Sequence, residues 1–180
     1  MKRPKTYTAL AIALHWIMAV GILGTFAMGF YMADLPLSPD KLKYYSWHKW
    51  AGVTLFLLVL LRLSWRITHQ PPAPPPYLPR WQEMAAEGAH RLLYLLMILV
   101  PLSGWLMSSA KGFQTVWFGV LPLPDLVAKD KALGDLLLSV HQLLNYLMLL
   151  IVATHLGAAL KHHFIDQDDV LARMLPFLKR

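Results

Sequence analysis

The sequence contains no cysteine. That absence removes disulfides, iron–sulfur clusters, thiolate-held metals and the C-x-x-C-H attachment of c-type haem. Any metal or cofactor must therefore be held by histidine, methionine, tyrosine or carboxylate. Charge is also scarce: charged residues make up 15% of 180, and 17 Lys and Arg face only 10 Asp and Glu. Hydrophobic residues reach 57%. A water-soluble domain of this length has too much surface to hide that much apolar area, so the expected solvent is lipid. The net charge of +7 is then read as the Lys and Arg bias that orients membrane proteins, with no nucleic-acid partner.

Four apolar stretches, residues 9–32, 44–65, 90–109 and 136–160, are each long enough to cross a hydrocarbon core, which takes about 20 helical residues. The first is too long for a signal-peptide core and carries His15 and Trp16 within it. The expected fold class is all-α: one domain over residues 1–180, an integral membrane four-helix bundle. No internal repeat is evident. Three connections separate the spans. Residues 34–43 are short and contain Pro36 and Pro39. Residues 68–87 include HQPPAPPPYLPRW, expected to be extended polyproline. Residues 111–135 are read as a loop at the membrane interface. The amphipathic tail DDVLARMLPFLKR is read as a short interfacial helix. Pro101 is expected to disturb the third helix near Met97, whose carbonyl loses its usual partner.

Four spans place both termini on one side. Eleven cations share that side: Lys2, Arg3, Lys5, Arg62, Arg66, Arg80, Arg91, Lys161, Arg173, Lys179 and Arg180. Six lie opposite: Lys41, Lys43, Lys49, Lys111, Lys129 and Lys131. The positive-inside rule makes the termini and the proline-rich loop cytoplasmic.

An ionisable side chain inside a transmembrane helix costs several kcal/mol without a partner. Five of the eight histidines lie within or at the ends of the spans: His15, His48, His90, His141 and His155. One such residue is readily explained by a hydrogen bond to a neighbouring helix; five are not. His141 and His155 are 14 residues apart, about 21 Å of helical rise and some 40° short of four full turns, so they share a face. That face offers an imidazole near each membrane surface, suited to two stacked haems. Depth supplies the partners: His15 matches His155 near the cytoplasmic surface, and His48 matches His141 near the outer one. Four histidines thus become axial ligands to the iron of two b haems. Filling both axial positions favours electron transfer over oxygen binding.

His90 opens the third span and has no depth partner left. His162 and His163 follow the fourth span on the same side, near Arg80 and Arg91 in the expected topology. Protonatable donors at a membrane face suit a quinone, which takes up two protons on reduction; the plain alternative is a solvated helix end. His69 is read as a loop residue. Arg62, Arg66 and Lys49 are weighed as partners for haem carboxylates against a purely topological role. Gly21, Gly24, Gly52, Gly104 and Gly157 are weighed as places where a macrocycle approaches the backbone against simple helix packing. Trp16, Trp47, Trp50 and Trp65 are explained by interfacial anchoring.

The segments ALHW, HKWAGVTLFLLVLLRLSWR, GAHRLLYLLMILVPLSGW and AALKHHF resemble the bacterial cytochrome b561 family, which includes superoxide oxidases. The resemblance runs from about Tyr7 to Leu178. It implies a four-helix bundle with two haem b groups on His15, His48, His141 and His155, the same four reached from depth. It also implies quinone-site histidines at His90 and His162, and electron flow from periplasmic superoxide to ubiquinone. A lysine that the family can carry in the proline-rich loop has no counterpart here, where Arg80 is the nearest cation. The six outer lysines face Asp34, Asp40, Asp125, Asp130 and Asp135, and Lys41, Lys43, Lys49 and Lys111 are weighed as a local patch able to steer a small anion against lysines that simply solvate the loops. The competing readings are quinol oxidation toward a periplasmic redox partner, and a membrane-anchor relay subunit without a substrate of its own. A channel or transporter would not explain histidines paired by depth.

Overall fold

The structure, a computed structural model, describes residues 6–178. Four helices dominate it: α1 (Ala9–Asp34), α2 (Pro39–Thr68), α3 (Arg80–Ala110) and α4 (Lys131–Phe164). All four are long and apolar enough to cross a membrane. They run 26 to 34 residues, so at about 1.5 Å per residue the longest spans about 51 Å. That exceeds the roughly 30 Å hydrocarbon core, and the helices therefore extend into water beyond the expected spans.

Local chemistry sets the true ends. Thr8 accepts a hydrogen bond from Ala11 N–H at the start of α1. Ser38 does the same for Lys41 N–H, with Pro39 opening α2. Asp130 caps α4 through Leu133 N–H. Pro79, ahead of α3, has no capping side chain, and its carbonyl accepts from Gln82 and Glu83 N–H. Residues 80–87, expected in the proline-rich connection, are therefore helical. α3 also runs unbroken through Pro101, so the expected disturbance does not end the helix.

The order is up-down-up-down. α1 lies against α2, α2 against α3, and α3 against α4, while α1 and α4 meet through long side chains such as Phe30 and Tyr146. Few side chains are enclosed: Val59 and Leu96 are essentially fully buried, but Val20 is 69% and Leu143 68% exposed. Such residues on the outside of a bundle mark surface meant for lipid.

Two connections depart from expectation. The 111–130 segment contains a small hairpin, β1 (Val116–Trp117) antiparallel to β2 (Leu121–Pro122). It is turned by Phe118 and Gly119, both at positive φ; the Phe118 conformation costs about 1–2 kcal/mol. Trp50 Nε1 donates to the Val116 carbonyl and Trp117 Nε1 to Thr54, which holds the hairpin on α2. These bonds give Trp50 a structural role beyond anchoring. The tail forms two 3-10 turns, Leu171–Arg173 and Pro176–Leu178, instead of one interfacial helix. Met174 O accepts from Trp16 Nε1 at 2.8 Å and Ala73 O from Arg173 Nη1 at 2.6 Å. The tail thus closes the termini side of the bundle onto α1 and the proline-rich segment.

Candidate functional site

His48 and His141 face each other at the end away from the termini, across a cavity of about 1100 Å³ that reaches from Lys41 and Gln114 down to Met18, Met97 and Met148. Their ring centres are 6.3 Å apart and nearly perpendicular. Two imidazoles on opposite sides of one metal, each nitrogen about 2 Å from it, place their ring centres about 6 Å apart. The pair therefore fits a single iron between them.

The neighbours fit as well. His141 Nδ1 lies 3.0 Å from the Val100 carbonyl and 3.0 Å from Ser103 Oγ. Donation to Val100 fixes the proton on Nδ1 and frees Nε2 for a metal, the usual support for a ligating histidine. His48 Nδ1 is buried without a hydrogen-bond partner among the described residues. Both rings rest against glycine: a Cβ at Gly104 would stand 3.1 Å from His141 Cε1, and one at Gly29 would stand 3.4 Å from His48 Cε1. Gly52 lines the cavity with open space where its Cβ would be, a place for a flat group to meet backbone. Gly24 and Gly157 also face open space, whereas Gly21 meets Leu55.

The Gly104 contact is testable. Gly104→Val would drive methyl groups into the Cε1–Nδ1 edge of an imidazole already pinned at Nδ1, and most of the cofactor at this end should be lost. Gly104→Ala should lose less, because its single Cβ needs a shift of only a few tenths of an ångström. Cofactor content per protein, read from the absorbance spectrum, checks both.

A second cluster lies toward the termini. His15 and His155 have ring centres 6.2 Å apart, matching the first pair. His90 is 5.3 Å from His155, so it lies inside this cluster and does not open a helix as the sequence suggested. The reason is the early start of α3 at Arg80, which puts His90 ten residues along it. Arg62 joins them: Nε donates to Tyr94 Oη at 3.0 Å and Nη2 lies 3.3 Å from His15 Nδ1. A guanidinium donating there leaves the His15 proton on Nε2, so a metal at Nε2 requires Arg62 to swing off Nδ1. The carboxylates of a b haem are the kind of anion that would draw it, with Arg66 stacked on the same Tyr94 ring.

The remaining expected residues are dispersed. His162 is largely buried and bonded to Asp168 and, more weakly, Asp166. His163 sits against Phe164. Arg80 is exposed, and Arg91 pairs with Glu87 on an exposed helix face. His69 stacks on Trp65 at 3.7 Å. At the opposite end the lysine patch is locally committed. Lys111 pairs with Asp135, Lys41 donates to the Ala33 and Leu35 carbonyls, and Lys43 lies over Trp47. Among the described residues Lys49, lining the cavity, is hydrogen-bonded to neutral oxygens alone: Ser108 Oγ and the Phe113 and Gln114 carbonyls, each at 3.2 Å.

Sequence reasoning passed over Gly29, Ser103, Tyr94 and Asp168. The first three carry no periodic signal of their own, and Asp168 reaches His162 only through a chain reversal.

The family model described as prokaryotic cytochrome b561 matches residues 6–177. Cytochrome b561 homolog 2 of Escherichia coli (strain K12) is 34% identical over 179 residues, covering 96% of this chain and 92% of that protein. Cytochrome b561 homolog 1 of the same strain is 30% identical, with 94% and 97% covered. A protein of Yersinia pestis named probable superoxide oxidase CybB is 28% identical, with 96% and 97% covered. The chain is a member of the prokaryotic cytochrome b561 family, a bacterial membrane protein for electron transfer that binds b-type haem.

Proposed function

We propose that the chain carries two b haems and moves electrons from superoxide at the periplasmic face to ubiquinone at the cytoplasmic face. The observation that carries this reading is the pair of matched histidine couples, 6.3 and 6.2 Å between ring centres, at opposite ends of one bundle. His48 and His141 hold the outer haem, and His15 and His155 the inner one. Each haem, when bound, would supply a one-electron carrier held by two of these imidazoles. The outward side is assigned from the cation asymmetry; of the cytoplasmic cations, Lys2, Arg3, Lys5, Lys179 and Arg180 lie outside the described residues.

The chain's own groups serve the two ends differently. Lys49, with no carboxylate bonded to it, offers an ammonium at the outer cavity to an arriving anion. Lys111 contributes less, its charge being offset by Asp135. At the inner end His90 and His162 present protonatable nitrogens for a quinone headgroup, with His163, Arg80 and Arg91 at its approach. Two superoxide ions each give up one electron and leave as oxygen, while one ubiquinone gains two electrons and two protons to become ubiquinol.

The test uses purified protein, a superoxide source and ubiquinone, with no other component. Reduction of two b haems followed by reoxidation on adding ubiquinone is the expected result. Haems indifferent to superoxide but reducible by ubiquinol would replace this reading with a relay that needs a periplasmic partner. His162→Gln is expected to slow quinone reduction about 100-fold, the low end of what one acid–base group contributes, with the haem spectrum unchanged.

A further inference from the structure

The end of α4 is folded back on itself. Ile165 and Asp166 N–H close on the Lys161 carbonyl, and Gln167 then adopts a φ of 53°, a left-handed conformation unfavourable for a residue with a side chain. The chain reverses, and Asp168 N–H donates to the carbonyl of His162 at 3.0 Å. This brings the Asp168 carboxylate against the imidazole six residues before it. Oδ2 accepts from His162 Nδ1 at 2.7 Å, and Oδ1 accepts from Val170 N–H at 2.9 Å. The two side chains are only 7% and 16% exposed.

A second carboxylate lies nearby, but it is otherwise engaged. Asp166 Oδ2 is 3.2 Å from His162 Nδ1, and both Asp166 oxygens accept from Lys161 Nζ, at 2.8 and 2.5 Å. Lys161 thus offsets the charge of this second carboxylate. Tyr77 stands beside Asp168, and its phenol pKa is raised by desolvation first and by that carboxylate second.

His162 follows His155 by seven residues. That is about 10 Å along α4 and 20° around it, so both lie on the face that carries the inner cluster. We infer that Asp168 is the positioning residue for proton delivery at this face, holding the proton on His162 Nδ1 so that Nε2 serves the substrate. A carboxylate on Nδ1 fixes the tautomer and stabilises the imidazolium in a proton-transferring histidine. The inference rests on the proposed role of His162 toward quinone. In the step, the Nε2–H bond of the imidazolium breaks as an O–H bond forms on the quinone oxygen being reduced. His162 is left neutral, keeping its Nδ1 proton and donating it to Asp168 Oδ2. Cytoplasmic water returns a proton to Nε2, and a second cycle supplies the second proton that accompanies the second electron.

The test compares wild type, Asp168→Asn, Asp168→Glu, His162→Gln and the Asp168→Asn/His162→Gln pair in the purified haem-loaded protein. Asp168→Asn keeps an oxygen for Val170 N–H. It is expected to lower the maximal rate of ubiquinone reduction about 10- to 100-fold, with KM for ubiquinone and haem content unchanged, and Asp168→Glu should recover much of that rate. In the His162→Gln background, Asp168→Asn should add nothing. Independently of quinone, ¹⁵N-imidazole spectra of the reduced protein should show His162 protonated at Nδ1, with that signal moved by Asp168→Asn. A full rate in Asp168→Asn, an equal loss in both backgrounds, or a His162 protonated at Nε2 alone would overturn the inference. A wild type with the Nδ1 signature that cannot reduce ubiquinone would instead remove the quinone reading on which it stands.

Discussion

Replacing His141 with Ala is expected to leave a one-haem protein that superoxide no longer reduces and ubiquinol still does. The substitution deletes one wall of the cavity and one of the two imidazoles that fit a single iron there. Among the described residues bis-imidazole ligation has no substitute nearby, because His90, the one span histidine outside the two pairs, belongs to the other cluster. The fold should survive. The Val100 carbonyl and Ser103 hydroxyl that hold His141 are also bonded to each other at 2.7 Å, so removing the ring strands neither. All four helices remain long and apolar enough to cross a membrane. A haem count and a redox titration with one wave in place of two check the expectation, and two haems retained in His141→Ala would end the His48–His141 assignment. Ser103→Ala should be a weaker version, costing about tenfold in haem affinity, as loss of a supporting bond to a ligand typically does.

Much of this arrangement is legible without coordinates, for identifiable reasons. Hydropathy marks the lipid-immersed part of each helix, and the 14-residue spacing of His141 and His155 places two imidazoles on one face. Matching the remaining histidines by depth then selects His15 and His48. Hydropathy fails where helices leave the membrane, since capping decides those ends: Ser38 with Pro39, Pro79 before Arg80, and Asp130. The error propagates to the site. A third helix started at residue 90 puts His90 at the surface; started at Arg80, it carries His90 to within 5.3 Å of His155. The Asp168 contact is illegible for another reason. It depends on a single left-handed residue, Gln167, whose side chain gives no hint of the conformation that glycine or asparagine would advertise. Charge counting cannot say which outer lysine is neutralised, because pairing of Lys111 with Asp135 is a matter of geometry.

His15→Ala and His90→Ala should separate sharply, although both residues touch the same partner. His155 has two imidazole neighbours, His15 at 6.2 Å and His90 at 5.3 Å between ring centres. A metal held between two imidazoles sets those centres about 6 Å apart, and the outer couple stands at 6.3 Å. His90 stands closer to His155 than that spacing, at the same 66° between ring planes as His15. His15→Ala is therefore expected to lose the inner haem, leaving a protein in which superoxide reduces the outer haem once and turnover stops. The rise between the two histidine levels of α4 is about 21 Å, so nothing in the bundle replaces the missing carrier, and ubiquinone reduction falls to background. His90→Ala is expected to keep both haems and their reduction by superoxide while slowing ubiquinone reduction. Haem stoichiometry and single-turnover kinetics on the two variants decide the matter. One haem in His90→Ala and two in His15→Ala would make His90 the ligand and move His15, with Arg62 on its Nδ1, to the substrate side.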